Sequence, residues 1–91
     1  MYDLILKLRK IGIDENVLRE LRLRLKQYQA LKEKRFNRPM SKSMKQIMGE
    51  IRDRHKFLKG YLNCLYDMGI ITYEELGRYD EVLLGEPSEI I

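Results

Sequence analysis

Hydrophobic residues recur through most of the chain at steps of three and four, which is the spacing of a helix with one buried face. Four such stripes follow one another, and they predict helices over about 2–11, 15–36, 44–68 and 73–84. The third stripe is the most regular and consists of Met44, Met48, Ile51, His55, Leu58, Leu62 and Leu65. The pattern therefore predicts an all-α fold in a small four-helix arrangement.

The residues between these stripes are ones that stop or start helices. Gly12 and Gly69 each follow a stripe, and glycine readily takes the left-handed conformation that closes a helix. Pro39 ends the second helix, because proline disfavours a helical conformation at Arg38 before it. Two capping boxes open the third and fourth helices, Ser43 with Gln46 and Thr72 with Glu75.

The turn at Pro39 is short, so the second and third helices must form an antiparallel hairpin. Pairing outward from the turn places Tyr28 near Ile51, Leu25 near His55, Leu21 near Leu58 and Leu18 near Leu62. Both terminal helices then lie at the end away from the turn, and the rest of the hairpin projects as an arm of about 15–20 Å. A second apolar stripe on the third helix, Phe57, Tyr61, Cys64 and Met68, predicts packing on two of its sides.

The chain has 91 residues, the size of a single domain. We divide it into a basic arm over 26–59, an acidic C-terminal hairpin over 61–85 and a tail over 86–91. The tail is expected to be loose, because Gly85 and Pro87 stop the fourth helix before it.

Charge is divided unevenly along this domain. Residues 1–60 carry seventeen Lys and Arg against seven Asp and Glu, a balance of +10, and residues 61–91 carry one against seven, a balance of −6. The two balances give the net charge of +4. Since a fold does not require such a division, it indicates a charged partner.

Basic residues converge on the predicted arm, with few acidic residues among them. The candidate binding residues are Lys32, Lys34, Arg35, Arg38, Lys42, Lys45, Arg52, Lys56 and Lys59. Such a surface is typical of proteins that contact the phosphate backbone. Because the sequence has no zinc-finger spacing and no other base-reading motif, we expect non-specific nucleic-acid binding by an accessory or regulatory protein.

The alternative is a protein-binding adaptor or inhibitor, of the kind that phages and mobile elements encode. Its basic arm would meet an acidic protein surface, or its C-terminal hairpin would meet a basic one through Tyr66, Tyr73 and Tyr79. Gly49 and Gly60 lie inside the third helix, where glycine allows another helix to approach closely. That helix belongs either to the fold or to a second copy, so a homodimer stays open.

Enzymatic chemistry is not expected from these residues. The acids of the C-terminal half are not accompanied by a candidate nucleophile or by groups that could form an oxyanion hole. The single histidine, His55, and the single cysteine, Cys64, do not have the spacing of metal ligands. We therefore expect no catalytic residues, no metal and no cofactor. Cys64 is expected to be a small buried hydrophobic residue in a reducing compartment. His55 is expected to form a hydrogen bond in the hairpin seam, the line along which the second and third helices meet.

The first residues of the chain do not resemble a signal peptide, because Asp3 and Lys7 interrupt their apolar run. No apolar stretch approaches the ~18 residues that a membrane span needs. We expect a cytoplasmic protein with no membrane partner.

The stretch from Leu62 through Gly69-Ile70-Ile71-Thr72 to Leu83-Leu84 resembles SHOCT, a short C-terminal helical hairpin module. The shared features are a Leu-rich helix, the Gly-Ile-Ile-Thr turn, two acids and a closing Leu-Leu. The resemblance covers about a quarter of the chain and implies oligomerisation or association with nucleic acid. This chain has Tyr79, Asp80 and Glu81 where the module tends to have lysines.

Overall fold

The computed structural model describes residues 1–37 and 42–91, and these residues form four α-helices without strands. The helices are α1 (Tyr2–Lys10), α2 (Glu15–Asn37), α3 (Lys42–Asp67) and α4 (Tyr73–Leu84), and a 3-10 turn, Pro87–Glu89, follows them. The predicted all-α four-helix arrangement is confirmed. Helix α3 begins before Ser43, so Ser43 is a residue of the helix and not its N-cap.

The two glycine turns reverse the chain in the same way. Gly12 and Gly69 have φ angles of +90° and +75°, which lie in the left-handed region that favours glycine. After each glycine, the next backbone N–H closes the turn, from Ile13 to the carbonyl of Leu8 at 3.1 Å and from Ile70 to that of Leu65 at 2.9 Å. Helix α1 therefore packs beside α2, and α4 folds back along α3.

Helix α4 begins with the predicted capping box. The backbone N–H of Glu75 donates to Thr72 Oγ1 at 3.1 Å, and the N–H of Thr72 donates to Glu75 Oε1 at 3.0 Å. Glu75 also accepts from Lys7 Nζ at 2.8 Å, which ties α1 to α4. At the other end of α1, Asp3 accepts from Arg78 and Tyr79. Helices α1 and α4 therefore run antiparallel.

Three contacts establish the register between α2 and α3. Arg54 donates to Gln27 at 2.9 Å, the Arg24 guanidinium lies 4.4 Å from the Phe57 ring centre, and the rings of Tyr28 and His55 are 6.5 Å apart. The antiparallel hairpin is confirmed. Its register differs from the predicted pairing by one to a few residues, since the ring of Tyr28 lies beside that of His55, for which the spacing predicted Leu25 as the neighbour.

Leucines from all four helices meet in one core. Leu4, Leu8, Leu18, Leu25 and Leu83 are fully buried there, and Leu58, Leu62 and Leu65 of α3 lie beside them. Each comes from the stripe that predicted its helix, so the inward face of every helix is the one that the spacing indicates.

The C-terminal tail packs on the core, so the prediction of a loose tail over 86–91 is wrong. Ile90 is fully buried, and its carbonyl accepts from the amino group of Met1 at 2.8 Å. Gln29 of α2 donates to the carbonyl of Pro87 at 2.6 Å. Gly85 and Pro87 do end α4, but Pro87 starts a 3-10 turn that brings Ile90 to the core.

The end of α4 and the tail extend along part of the predicted arm. The end of α4 and the residues after it contact α2 at Tyr28, Gln29 and Lys32. Beyond Lys32, the described part of α2 adds only about 8 Å at 1.5 Å per residue. The molecule measures 44 × 25 × 19 Å along its principal axes.

Candidate functional site

Basic side chains lie along one side of α3, and we call Lys45, Arg52, Lys56 and Lys59 the α3 cationic stripe. All four are exposed. They share this side because their spacings of seven, four and three residues each bring the helix back to nearly the same direction. From Lys45 to Lys59 the stripe is about 21 Å long.

Of the acids of α3, Glu50 lies on another side of the helix, Asp53 lies at the border of the stripe, three residues before Lys56, and Asp67 lies beyond its end. Glu50 and Asp53 lie with Phe57 on the side that borders Arg24 of α2. No acid therefore lies within the row from Lys45 to Lys59 itself. Exposed bases without acids among them give this side a positive potential.

Asp80 of α4 pairs with one end of the α3 cationic stripe. Its carboxylate lies 3.4 Å from Lys59 Nζ and 3.0 Å from His55 Nε2, and only 19% of the Asp80 side chain is exposed. His55 is half-buried in the hairpin seam, where its ring lies 6.5 Å from that of Tyr28. The positive charge at Lys59 is thus partly compensated within the chain, whereas Lys45, Arg52 and Lys56 form no ion pair with a described residue.

Lys32 is not an exposed binding residue, contrary to the prediction. It is 6% exposed, and its Nζ donates to the carbonyls of Leu83 at 2.6 Å and Gly85 at 2.5 Å. These carbonyls end α4 and have no partner within the helix, so Lys32 satisfies them from α2. Burial, and then the charge of Arg35, lower the pKa of Lys32. Its ammonium group is directed into the fold.

The other predicted residues of the arm are placed as follows. Lys34 and Arg35 are exposed near the end of α2. Arg38 and the side chain of Lys42 lie outside the described residues. The structure therefore places Lys34 and Arg35 at the hairpin end, and the α3 cationic stripe along the adjacent helix.

The three candidate interface tyrosines separate into two groups. Tyr66 and Tyr73 are exposed on either side of the Gly69 turn, with ring centres 6.0 Å apart in an edge-to-face arrangement. Tyr79 is 2% exposed and its hydroxyl donates to Asp3 at 3.2 Å, so its placement at a protein interface is wrong. It occupies the inward face of α4, and burial raises the pKa of its phenol.

An open apolar groove of about 800 Å³ lies between the start of α2 and the side of α3 that carries its second apolar stripe. The lining residues are Gly12, Ile13, Asp14, Val17, Lys56, Phe57, Gly60, Tyr61, Cys64, Leu65 and Met68. The sequence identifies the stripe but wrongly predicts that it is packed within the fold. Phe57 is 50% exposed and Met68 65%, because α4 packs on a different side of α3.

Cys64 is exposed in this groove, so the prediction that it is buried is wrong as well. In the part of the chain that the structure describes, no three His, Cys, Asp or Glu side chains gather as a metal site would require. No helix of residues 1–37 and 42–91 combines the length and the apolar character of a membrane span.

No family model matches the sequence, and neither the comparison with curated proteins nor that with solved structures found a match.

Proposed function

We propose that the protein is a small accessory or regulatory protein that binds nucleic acid through its phosphate backbone. The observation that supports this proposal is the α3 cationic stripe, a row of exposed bases with no acid within it from Lys45 to Lys59. Lys34 and Arg35 add two exposed charges at the end of α2. Lys32 takes no part in binding, because its ammonium group is occupied by the carbonyls of α4.

The length of the stripe suits contact with one strand of a duplex. Phosphates of one strand follow one another about every 3.4 Å along the duplex axis, so a stripe of about 21 Å runs beside about six of them. Lysine and arginine bind phosphate by charge and carry no base preference in such contacts. We therefore expect weak sequence preference and strong dependence on salt.

The test is titration of a fluorescent 20-base-pair duplex, followed by anisotropy at about 50 mM salt. We expect the double variant Lys45→Glu/Arg52→Glu to bind at least about tenfold more weakly than the wild type, since each reversal replaces attraction by repulsion. Circular dichroism verifies that the variant keeps its helices, which we expect because both side chains are exposed.

The matched control is Arg19→Glu/Lys26→Glu, which changes the net charge by the same amount. Both residues are exposed on α2, about half a helical turn from Tyr28, which faces α3. We expect this control to lose at most about threefold, the effect of net charge alone. Equal losses for the two double variants, or no binding by the wild type at this salt concentration, would refute the proposal.

A second candidate function is an adaptor that binds a basic protein surface through the acidic C-terminal hairpin. The observation that favours it is the exposed Tyr66–Tyr73 pair, which lies next to Asp67 and Glu74. Exposed aromatic residues are enriched at protein interfaces. The adaptor is supported if the wild type retains a partner from nuclease-treated extract and the Tyr66→Ala/Tyr73→Ala variant loses it. Nucleic-acid binding is supported if nuclease treatment removes the partner.

A further inference from the structure

The apolar groove is an unpartnered face of the molecule and lies apart from Lys45 and Arg52. Phe57, Cys64 and Met68 of α3 are exposed along it, and Ile13 and Val17 form its other wall. Contiguous apolar surface of this kind marks an interaction site in a water-soluble fold. The groove follows α3 for three turns, from Phe57 to Met68, which is the length of a helix-to-helix contact.

We propose that this groove is the interface of a homodimer, in which α3 of each copy lies antiparallel against α3 of the other. The evidence is a charge pattern that complements itself. Lys56 and Asp67 are both exposed, and neither forms an ion pair with another described residue. They are eleven residues, or three turns, apart, so they lie on the same flank of the apolar face, one near each end.

In an antiparallel pair with two-fold symmetry, the same flank of both helices meets at the interface. A two-fold axis that passes between the two α3 helices, level with the peptide bond between Tyr61 and Leu62, brings Lys56 opposite Asp67 of the second copy, and Asp67 opposite its Lys56. The flank between them carries Gly60 and Asn63, and the nearby Lys59 is turned toward Asp80 of its own chain, 3.4 Å away. A parallel pair, whose two-fold axis runs along the helices, would instead place the flanks of the two copies on opposite sides of the interface, so neither Lys56–Asp67 pair would form.

Gly60 lies close to this axis. A Cβ atom built there would meet nothing within 4 Å, so the fold itself does not require glycine at this helical position. Glycine in a helix interior costs about 1 kcal/mol relative to alanine, and its use is to let a second backbone approach. In the same register, Phe57 inserts between Cys64 and Met68 of the second copy, and the exposed apolar surface of both copies is buried.

The first experiment is sedimentation equilibrium of the full chain from micromolar concentrations to about 1 mM. We expect a dimer for the wild type and a dissociation constant at least about tenfold higher for either Lys56→Asp or Asp67→Lys, since each variant places two like-charge pairs across the interface. An equimolar mixture of these two variants restores opposite charges at both pairs. We expect the mixture to associate as tightly as the wild type, within about threefold.

The control for Lys56→Asp is Lys26→Asp, on the far side of α2, which we expect to dimerise as the wild type does. A monomeric wild type at all concentrations would overturn the proposal. It is equally overturned if the single variants dimerise normally, or if their mixture associates no better than either alone.

The reactivity of Cys64 provides a second, independent test of the interface, because Cys64 is the single cysteine of the chain and is exposed in the groove. We expect its rate of reaction with a thiol reagent to fall at least about tenfold as the wild type dimerises, and to stay high in Lys56→Asp at the same concentration. A dimer whose Cys64 reacts as fast as in the monomer would place the interface elsewhere and refute the proposal. The Lys45→Glu/Arg52→Glu variant changes neither groove nor flank pair, so nucleic-acid binding and dimerisation are tested separately.

Discussion

Lys32 shows how a charged residue can be structural although its neighbours in sequence are exposed. Its position continues the stripe of Leu18, Leu25 and Tyr28, and it is buried as they are. The long aliphatic part of lysine packs with the apolar residues, and its ammonium group reaches the end of α4. The order of charged residues along the sequence cannot distinguish a lysine that binds the end of a helix within the fold from a lysine that is exposed to solvent.

Replacing Lys32 with methionine keeps the volume and removes the donor. We expect Lys32→Met to lower the free energy of unfolding by about 1–3 kcal/mol, because the carbonyl of Gly85 loses its side-chain donor and that of Leu83 keeps only the Tyr28 hydroxyl. The control Lys34→Met, at an exposed position two residues away, should change stability by less than about 0.5 kcal/mol. Urea denaturation of the three proteins measures this, and equal stabilities would contradict the structural role of Lys32.

Glu75 makes the stability of the fold depend on pH. The hydrogen bond from Lys7 lowers the pKa of Glu75, and the hydrogen bond from the backbone of Thr72 lowers it further. Since the pKa in the folded state lies below that in the unfolded chain, the stabilisation is complete above the unfolded value. It is lost as the pH falls through the folded value.

The variant Glu75→Gln isolates this effect because glutamine can keep the capping box. We expect a loss of about 0.5–1 kcal/mol at pH 7, from the ion pair with Lys7. The difference from the wild type should shrink as the pH falls below about 4.3, the pKa of an unperturbed glutamate. Thermal unfolding at pH 7 and pH 3 gives both values, and a loss that is the same at the two pH values would contradict this account.

At the scale of the elements, the sequence predicts the helices well and their partners less well. The spacing of leucines locates all four helices to within two residues, and Thr72 with Glu75 predicts the start of α4, because these signals are local. The side of α3 that α4 covers is decided by tertiary packing. For this reason the sequence indicates a stripe of Phe57, Cys64 and Met68 but does not indicate that this stripe is exposed.

The tail is the element that local signals describe least accurately. Gly85 and Pro87 are typical of a helix end, but they do not indicate that Ile90 returns to the core beside Met1 and Gln29. The same long-range packing determines that Lys32 is buried, because the burial of Lys32 depends on where α4 ends against α2. The exposed residues of the α3 cationic stripe were predictable, because helical spacing alone places them together.

The packing of the tail predicts a large effect from one side chain. We expect Ile90→Ala to lower the free energy of unfolding by about 2–4 kcal/mol, since it leaves a cavity beside fully buried neighbours. Ser88→Ala, at an exposed position of the 3-10 turn, should have little effect. Urea denaturation distinguishes them; a loss below about 0.5 kcal/mol for Ile90→Ala would indicate that the tail contributes little to the folded state.

On the scale of the whole molecule, one long helix presents two different surfaces. One side of α3 carries the α3 cationic stripe, and the next carries the apolar groove. Under the two proposals, these surfaces cooperate: antiparallel pairing places Arg52 of the two copies about 28 Å apart along the dimer, on the same flank. Because Lys56 pairs with Asp67 of the second copy, a dimer would present Lys45 and Arg52 of both copies to one duplex, and its binding would exceed that of a monomer.

The most direct test of the central claim, that the α3 cationic stripe binds phosphates, is the salt dependence of duplex affinity. Each neutralised phosphate contributes about −0.9 to the slope of log K against log salt, so three or four contacts from one copy give a slope of about −3 to −4. The titration is made over about 50–200 mM salt, at protein concentrations where the oligomeric state is constant. We predict that Lys45→Glu/Arg52→Glu reduces the magnitude of the slope by about 2, while Arg19→Glu/Lys26→Glu leaves it unchanged. A wild-type slope near zero, or the same slope for all three proteins, would contradict the account.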